Sequence, residues 1–313
     1  MLNLSSFIRF HALRTPEKTA IVYRGEHVSY CDFLARIETT AAMLVARGIG
    51  PDDVVAVFMK NSLAFLEIAF AASHIGAVFL PVNYRLAAEE VAYITGNAGA
   101  RLVIADEEFA GIVASAPALV LLDEAGQSRA ALMGGDAPVG ARAPMHVRKP
   151  DDLFRLMYTS GTTDRPKGVM HTYDNFYWKC ADHVLALGLT SSDNLLVTGP
   201  LYHVGAFDLP GMAVLWVGGS LYLHRDFEPA AVLQSIQDAR LTCAWLAPVM
   251  LGGILAYPER TRYDVTSLKW TIGGGERTPE ARIRAFSGFF TNGRYIDGYG
   301  LTESCSGDTL MEA

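Results

Sequence analysis

Charge is scarce in this 313-residue chain and cysteine scarcer: 19% of the residues are charged and four are cysteine. Cys31, Cys180, Cys243 and Cys305 stand far apart with no CxxC pair. That excludes a zinc ribbon or a dithiol motif and reads as reduced thiols in a cytoplasmic protein. The eight histidines make no HExxH pair, so a metal centre built from protein ligands is not expected. No lysine–arginine run is present, and 26 basic against 33 acidic residues leave a net charge of −7. A nucleic-acid surface is excluded on both counts. Long hydrophobic runs are missing as well. The richest, Met212–Leu223, falls short of the roughly 20 apolar residues of a membrane span. Met1–Phe10 carries only Arg9 as a charge, placed after its apolar residues, and does not read as a signal peptide.

What the chain does have is core. Half its residues are hydrophobic, enough at this length for two lobes. Strand-like runs at Val54–Phe58, Ala77–Pro81, Leu102–Ala105, Leu153–Tyr158, Leu195–Thr198, Ser220–Leu223 and Thr242–Leu246 alternate with helix-like stretches. The latter are Cys31–Arg47, Leu63–Ile75, Ala87–Thr95, Tyr173–Leu187 and Pro229–Ala239. This alternation predicts an α/β fold of mainly parallel sheets. Segment 126–150, rich in Gly, Ala, Pro and Arg, reads as a linker, giving a first lobe over 1–150 and a second over 151–313. The halves look alike. Gly48–Val55 has a counterpart in Gly188–Leu195, Ala100-Arg-Leu in Ala239-Arg-Leu, and His74-Ile-Gly in Trp216-Val-Gly. Two similar, doubly wound sheet lobes with helices on both faces, layered αβαβα, are expected, with ligands beyond the C-terminal ends of the strands.

The most informative stretch is Tyr158-Thr-Ser-Gly-Thr-Thr-Asp-Arg-Pro-Lys-Gly168. It follows a strand-like run and precedes the helix-like segment near Tyr173. Thr159, Ser160, Thr162 and Thr163 supply hydroxyls, and Gly161 and Gly168 allow close backbone approach, as a polyphosphate requires. Arg165 or Lys167 adds positive charge. A Walker A loop is excluded, because Pro166 and Gly168 stand where its second Gly and its Ser/Thr belong.

These eleven residues resemble the signature loop of the adenylate-forming superfamily of acyl-CoA synthetases, luciferases and adenylation domains, with Asp164 in place of the usual Gly. Gly298-Tyr-Gly-Leu-Thr-Glu303 is similar to its second hallmark. The resemblance implies that Tyr299, flanked by Gly298 and Gly300, stacks on adenine, that Thr302 contacts the α-phosphate, and that Glu303 binds the Mg²⁺ carried by ATP. Read alone, Thr302-Glu303 is a helix-opening pattern. Ile272-Gly-Gly-Gly-Glu-Arg-Thr-Pro279 resembles the segment bordering adenine and the acyl pocket, with Gly274, Gly275 and Glu276 as contacts; read alone it is a Gly-rich turn before a helix near Pro279. Leu201-Tyr-His-Val-Gly-Ala-Phe207 resembles the segment whose His positions the carboxylate, here His203. Gly205, Phe207, Val249, Met250 and Gly275 are then expected along the acyl group, with Val204 and Trp245 nearby. The catalytic set implied is His203, Lys167, Thr302 and Glu303; Thr159–Thr163 and Lys167 hold the nucleotide. Asp208, an acid in an apolar stretch, is the residue an amino-acid-activating relative would need.

The implied reaction is ATP-dependent acyl-CoA ligation: a carboxylic acid becomes an acyl-adenylate with release of pyrophosphate, then passes to coenzyme A. The run 298–310 looks most like bacterial fatty-acyl-CoA synthetases. An apolar acid, a fatty acid first and a cinnamate- or benzoate-type acid second, is therefore expected, with a non-catalytic ATP- or acyl-binding fragment as the rival reading. The partners implied are small molecules, a homodimer staying open. In the family the chain continues past the second hallmark into a β-barrel subdomain and a C-terminal domain that carry the ribose-binding Asp, the hinge and the catalytic Lys. Here Ala313 follows Glu303 by ten residues, so weak adenylation and little thioester formation are expected.

Overall fold

A computed structural model describes residues 3–116, 118–123, 140–159 and 165–312. Two compact units emerge. The first comprises residues 1–18 and 28–177, the second 19–27 and 178–313. Each is built on one mixed sheet.

The first unit holds helix α1 (Leu4–Arg14), α2 (Tyr30–Ala46), α3 (Leu63–His74) and α4 (Ala88–Asn97). Its strands are β3 (Val54–Phe58), β4 (Val78–Pro81), β5 (Ala100–Asp106), β6 (Leu119–Leu122), β7 (Leu153–Thr159) and β8 (Lys167–Thr172). They lie in the order β6-β5-β3-β4-β7-β8, parallel except for the β7–β8 pair. β3 reads VVAVF and is buried throughout, as a central parallel strand covered on both faces must be. All twelve residues of α3 are buried. The one carboxylate among them, Glu67, accepts from Arg36 at 3.3 Å, which satisfies a charge that would otherwise be costly to bury.

The second unit carries strands β1 (Thr19–Tyr23), β2 (Glu26–Ser29), β9 (Asn194–Val197), β10 (Ser220–Leu223), β11 (Cys243–Trp245), β12 (Trp270–Gly274), β13 (Arg294–Leu301) and β14 (Ser306–Glu312). Their order is β14-β13-β12-β11-β9-β10-β1-β2. The pairs from β1 through β10, β9, β11 and β12 to β13 are parallel, and β13–β14 is antiparallel. Helix Pro229–Ala239 starts on a Glu228 cap with Pro229 in its first turn and stops where Arg240 turns left-handed. Its buried Val232, Leu233 and Ile236 join Leu268, Phe286 and Phe290 in the core.

The likeness of the halves extends to local structure. Gly50 N donates to Asp53 Oδ2 at 2.8 Å, and Thr190 N donates to Asp193 Oδ2 at 2.8 Å. Val78 N bonds Asp53 O, and Ser220 N bonds Asp193 O. Gly48 and Gly188 both have positive φ, +77° and +61°, where each chain leaves a helix. The strand orders β6-β5-β3-β4 and β12-β11-β9-β10 also correspond.

Two expectations are corrected. The border falls after Tyr177 rather than at 150, because β7 pairs with β4 and β8 with β7 inside the first sheet. Of the expected linker, residues 126–139 lie outside the described residues, while 140–150 are fastened to the first unit. There His146 N donates to His74 O at 2.8 Å and Arg142 pairs with Glu38 at 3.0 Å. The signature loop follows a strand and precedes helix Tyr173–Leu187, as expected, with one further strand between them. It connects two antiparallel strands, because β8 extends the sheet before helix Tyr173–Leu187 begins.

Candidate active site

The signature loop belongs to the first unit. Ser160, Gly161, Thr162 and Thr163, with Asp164, lie outside the described residues; both ends of the loop are defined. The β7–β8 register sets Thr159 opposite Lys167 and Tyr158 opposite Gly168. The Tyr158 ring lies over Gly168, where an added Cβ would stand 3.1 Å from it. Helix α4 braces both ends. Tyr158 Oη donates to Asn97 Oδ1 at 2.6 Å, Tyr93 Oη donates to Pro166 O at 3.4 Å, and the Arg165 guanidinium sits 5.4 Å from the Tyr93 ring centroid. Lys167 is exposed, so its ammonium is open to an anion. Between β7 and β8, Arg155 is fully buried and donates to His171 Nδ1 at 3.1 and 2.9 Å.

The second unit holds a cleft at the C-terminal ends of its parallel strands, where ligands of such sheets bind. His203, Gly205, Gly274, Gly275, Gly298, Tyr299 and Gly300 line it together. Val204, Leu209, Trp245, Ser306 and Gly307 complete its walls. His203 caps the short helix Val204–Phe207, its Nδ1 accepting from Gly205 N at 3.2 Å. One edge of the ring is exposed, yet the packed residues around it hold its pKa below the usual value through desolvation. A neutral imidazole at neutral pH follows. Gly273 and Gly274 lie within β12, and Gly275 leaves it with φ +89°, so the strand end presents bare backbone. Tyr299 is 62% exposed on β13, its ring face free to stack.

Thr302 and Glu303 sit in the turn between β13 and β14, so they open no helix. Ser304 Oγ accepts from Leu301 N at 3.2 Å, and Lys179 Nζ donates to Gly307 O at 2.8 Å and pairs with Asp308. Cys305 and Ser306 have φ of +62° and +111°, rare for residues with a Cβ and a pattern that gathers at functional sites. Glu303 is exposed. Among the described residues no three histidine, cysteine or carboxylate side chains form a metal set. A lone hard carboxylate fits a magnesium ion whose other ligands come from a polyphosphate.

Not every expected residue reaches the cleft. Phe207 is buried in the core, Val249 is 71% exposed, and Met250 packs against the core cluster of the helices Pro229–Ala239 and Pro248–Ala256. Glu276 is exposed beyond Gly275 and Asp208 is buried; neither lines the cleft. Leu209, Ser306 and Gly307 were not singled out by the sequence, although Ser306-Gly307 follows the second hallmark closely enough to have been found.

A family model described as AMP-binding enzyme matches residues 8–312. A feruloyl-CoA synthase from Amycolatopsis sp. is 34% identical over 304 residues, covering 96% of this chain and 60% of the relative. The long-chain-fatty-acid–CoA ligase FadD13 of Mycobacterium tuberculosis is 31% identical over 319 residues, covering 99% of this chain and 62% of the relative. The chain thus spans about three fifths of the length of these curated relatives. An inhibitor-bound N-terminal domain of FACL13 from M. tuberculosis superposes with a TM-score of 0.90 at 28% identity, covering 100% of this chain and 79% of that one.

Proposed function

Because the chain belongs to the AMP-binding enzyme family, we propose that it activates an apolar carboxylic acid with ATP, as the acyl-adenylate-forming part of an acyl-CoA ligase. The observation that carries this reading is the single cleft that gathers His203, the Gly274–Gly275 backbone and Tyr299 at strand ends. A flat base can lie between bare backbone and an aromatic ring there. Within that reading, a carboxylate oxygen attacks the α-phosphorus and the bond to the β-phosphate oxygen breaks, pyrophosphate leaving with the electron pair. The thiolate of coenzyme A then attacks the acyl carbon, AMP leaves with the electrons of the ester bond, and the thiol proton passes to solvent.

The protein needs no nucleophile; its part is positioning and electrostatics. Neutral His203 orients the carboxylate without holding it as an ion pair. In the second unit Thr302 would donate to the α-phosphate and Glu303 would hold Mg²⁺; the resemblance gives Lys167 and the hydroxyls of 159–163, which belong to the first unit, a role toward pyrophosphate. Bound Mg²⁺ would polarise the phosphates. A fatty acid is the first choice of substrate. An aromatic acid is the second, favoured by the 34% identity to a feruloyl-CoA synthase.

Carboxylate-dependent ATP–pyrophosphate exchange on this 313-residue chain, over fatty, aromatic and amino acids, tests the proposal. Exchange with one class, lost in Lys167→Ala, supports it. ATP binding without acid-dependent exchange would instead identify a non-catalytic nucleotide-binding fragment.

A further inference from the structure

The turn that carries Thr302 and Glu303 is strained. Cys305 and Ser306 take φ of +62° and +111°, and Ser306 O approaches Gly300 so closely that no Cβ could stand there. Such backbone persists only where its surroundings over-determine it. Beside the turn, β14 carries one residue more than β13. Tyr299 pairs with Thr309 and Gly300 with Gly307, which leaves Asp308 as the extra residue of a bulge. A bulge re-aims the side chain it carries.

Asp308 is aimed at two partners. Its Oδ2 accepts from Ser304 Oγ inside the turn, and its Oδ1 pairs with Lys179 Nζ at 3.2 Å. Ser304 Oγ in turn accepts from N of Leu301, the residue before Thr302, at 3.2 Å. Lys179 Nζ also donates to Gly307 O at 2.8 Å. One ammonium thus holds the bulged carboxylate and the backbone next to it, across 129 positions of sequence and within the second unit. A second bond, from Ser306 Oγ to Val204 O at 3.3 Å, ties the far end of the turn to the helix that His203 caps. Resting on the ligase reading above, we propose that Lys179 is a positioning residue for the nucleotide. Through Asp308 and Gly307 it sets the turn from which Thr302 and Glu303 reach the α-phosphate and its magnesium. It acts through the backbone on which they stand. A displacement of about 1 Å in such a turn costs roughly 100-fold in rate.

The test separates nucleotide from acid. ATP–pyrophosphate exchange is measured at varied MgATP and at varied acid on the wild type, Lys179→Met, Lys179→Arg and Asp308→Ala. Calorimetry in parallel measures binding of the magnesium complex of α,β-methylene-ATP, and melting temperatures are taken alongside. Lys179→Met keeps the length of the side chain and removes its ammonium. It should lower kcat/KM for MgATP about 100-fold and leave KM for the acid unchanged. Its melting temperature should fall by no more than about 4 °C, the effect of one partly exposed pair. Lys179→Arg, whose guanidinium can reach both oxygens, should restore most of the loss. Asp308→Ala should resemble Lys179→Met, and the double variant should fall little below the worse single one, because the two residues act through one contact.

Nucleotide use and analogue affinity unchanged in Lys179→Met overturn the assignment. So does a loss that Lys179→Arg fails to restore, or one that raises KM for the acid as much as KM for MgATP. A wild type that neither exchanges with any acid nor binds the methylene analogue overturns the ligase reading beneath it. Analogue binding that weakens in Lys179→Met and recovers in Lys179→Arg, even without exchange, upholds the role of Lys179.

Discussion

Single residues carry the strongest consequences, and two of them are buried bases. His183 lies 1% exposed in helix Tyr173–Leu187, and burial, reinforced by Lys179 and opposed by Asp182, pushes its pKa down to about 4. The unfolded chain therefore binds a proton between about pH 6.5 and 4 that the folded chain does not, so stability rises with pH through that window. At pH 5 the protein should be less stable than at pH 7 by about 2 kcal/mol from this group alone. Urea melts of the wild type and His183→Gln should show that acid-side loss shrink in the variant. His171 accepts from a guanidinium with no solvent exposure. His171→Ala should cost about 2–3 kcal/mol in the same melts, because a charged donor loses an acceptor in the core. Within the proposed chemistry, Thr302→Val should lower ATP–pyrophosphate exchange about 100-fold, the usual effect of removing one donor to developing phosphate charge. The sequence could mark Thr302, His203 and Tyr299 because their types and order are unusual. Trp245 and Gly205 were legible beside the acyl group only through the resemblance, whereas the packing of the indole against Gly199 and Gly205 is a tertiary contact with no trace in the sequence.

At the scale of elements, legibility followed burial. β3 and β10 have the expected bounds because VVAVF and SLYL are apolar runs between turns. β8 was invisible: in Lys167–Thr172 only His171 is buried, so no alternation of apolar residues announces an edge strand. The β1–β2 hairpin is announced only by Arg24-Gly25, both with positive φ, and an arginine there is a weak turn signal. The repeated turns give a quantitative expectation. Asp193 is buried and accepts from Thr190 N, Thr190 Oγ1 and Thr242 Oγ1, whereas Asp53 holds Gly50 N and the largely exposed Arg101. Asp193→Ala should therefore destabilise its unit by about 2–3 kcal/mol and Asp53→Ala by about 1 kcal/mol, since loss of a buried acceptor costs more than loss of a surface pair. Separate denaturant transitions of the two variants would show the difference.

Across the whole molecule, the chain enters the second sheet early, leaves it, and returns. Thr19–His27 supplies β1 and half of β2; β1 covers the edge of β10 and β2 lies beyond it, in a sheet otherwise built from residues after 193. Residues 178–313 expressed alone should leave that edge bare and sediment as aggregate, and fusing Thr19–Ser29 to them should recover soluble material. No composition or period could foretell this, since strand pairing across some 200 positions leaves no local trace. The paired helix–turn–strand cassettes have a different implication. Ile49 and Leu189 are both buried at equivalent places, bonding back to Leu44 and Val184 in the same manner. Two copies that solve one geometric problem with different residues should be interchangeable parts. A chimera in which Ile49 and Leu189 trade places should fold, at a cost below about 1.5 kcal/mol at each site, because each cassette asks of that position only an apolar side chain on the same bonded turn.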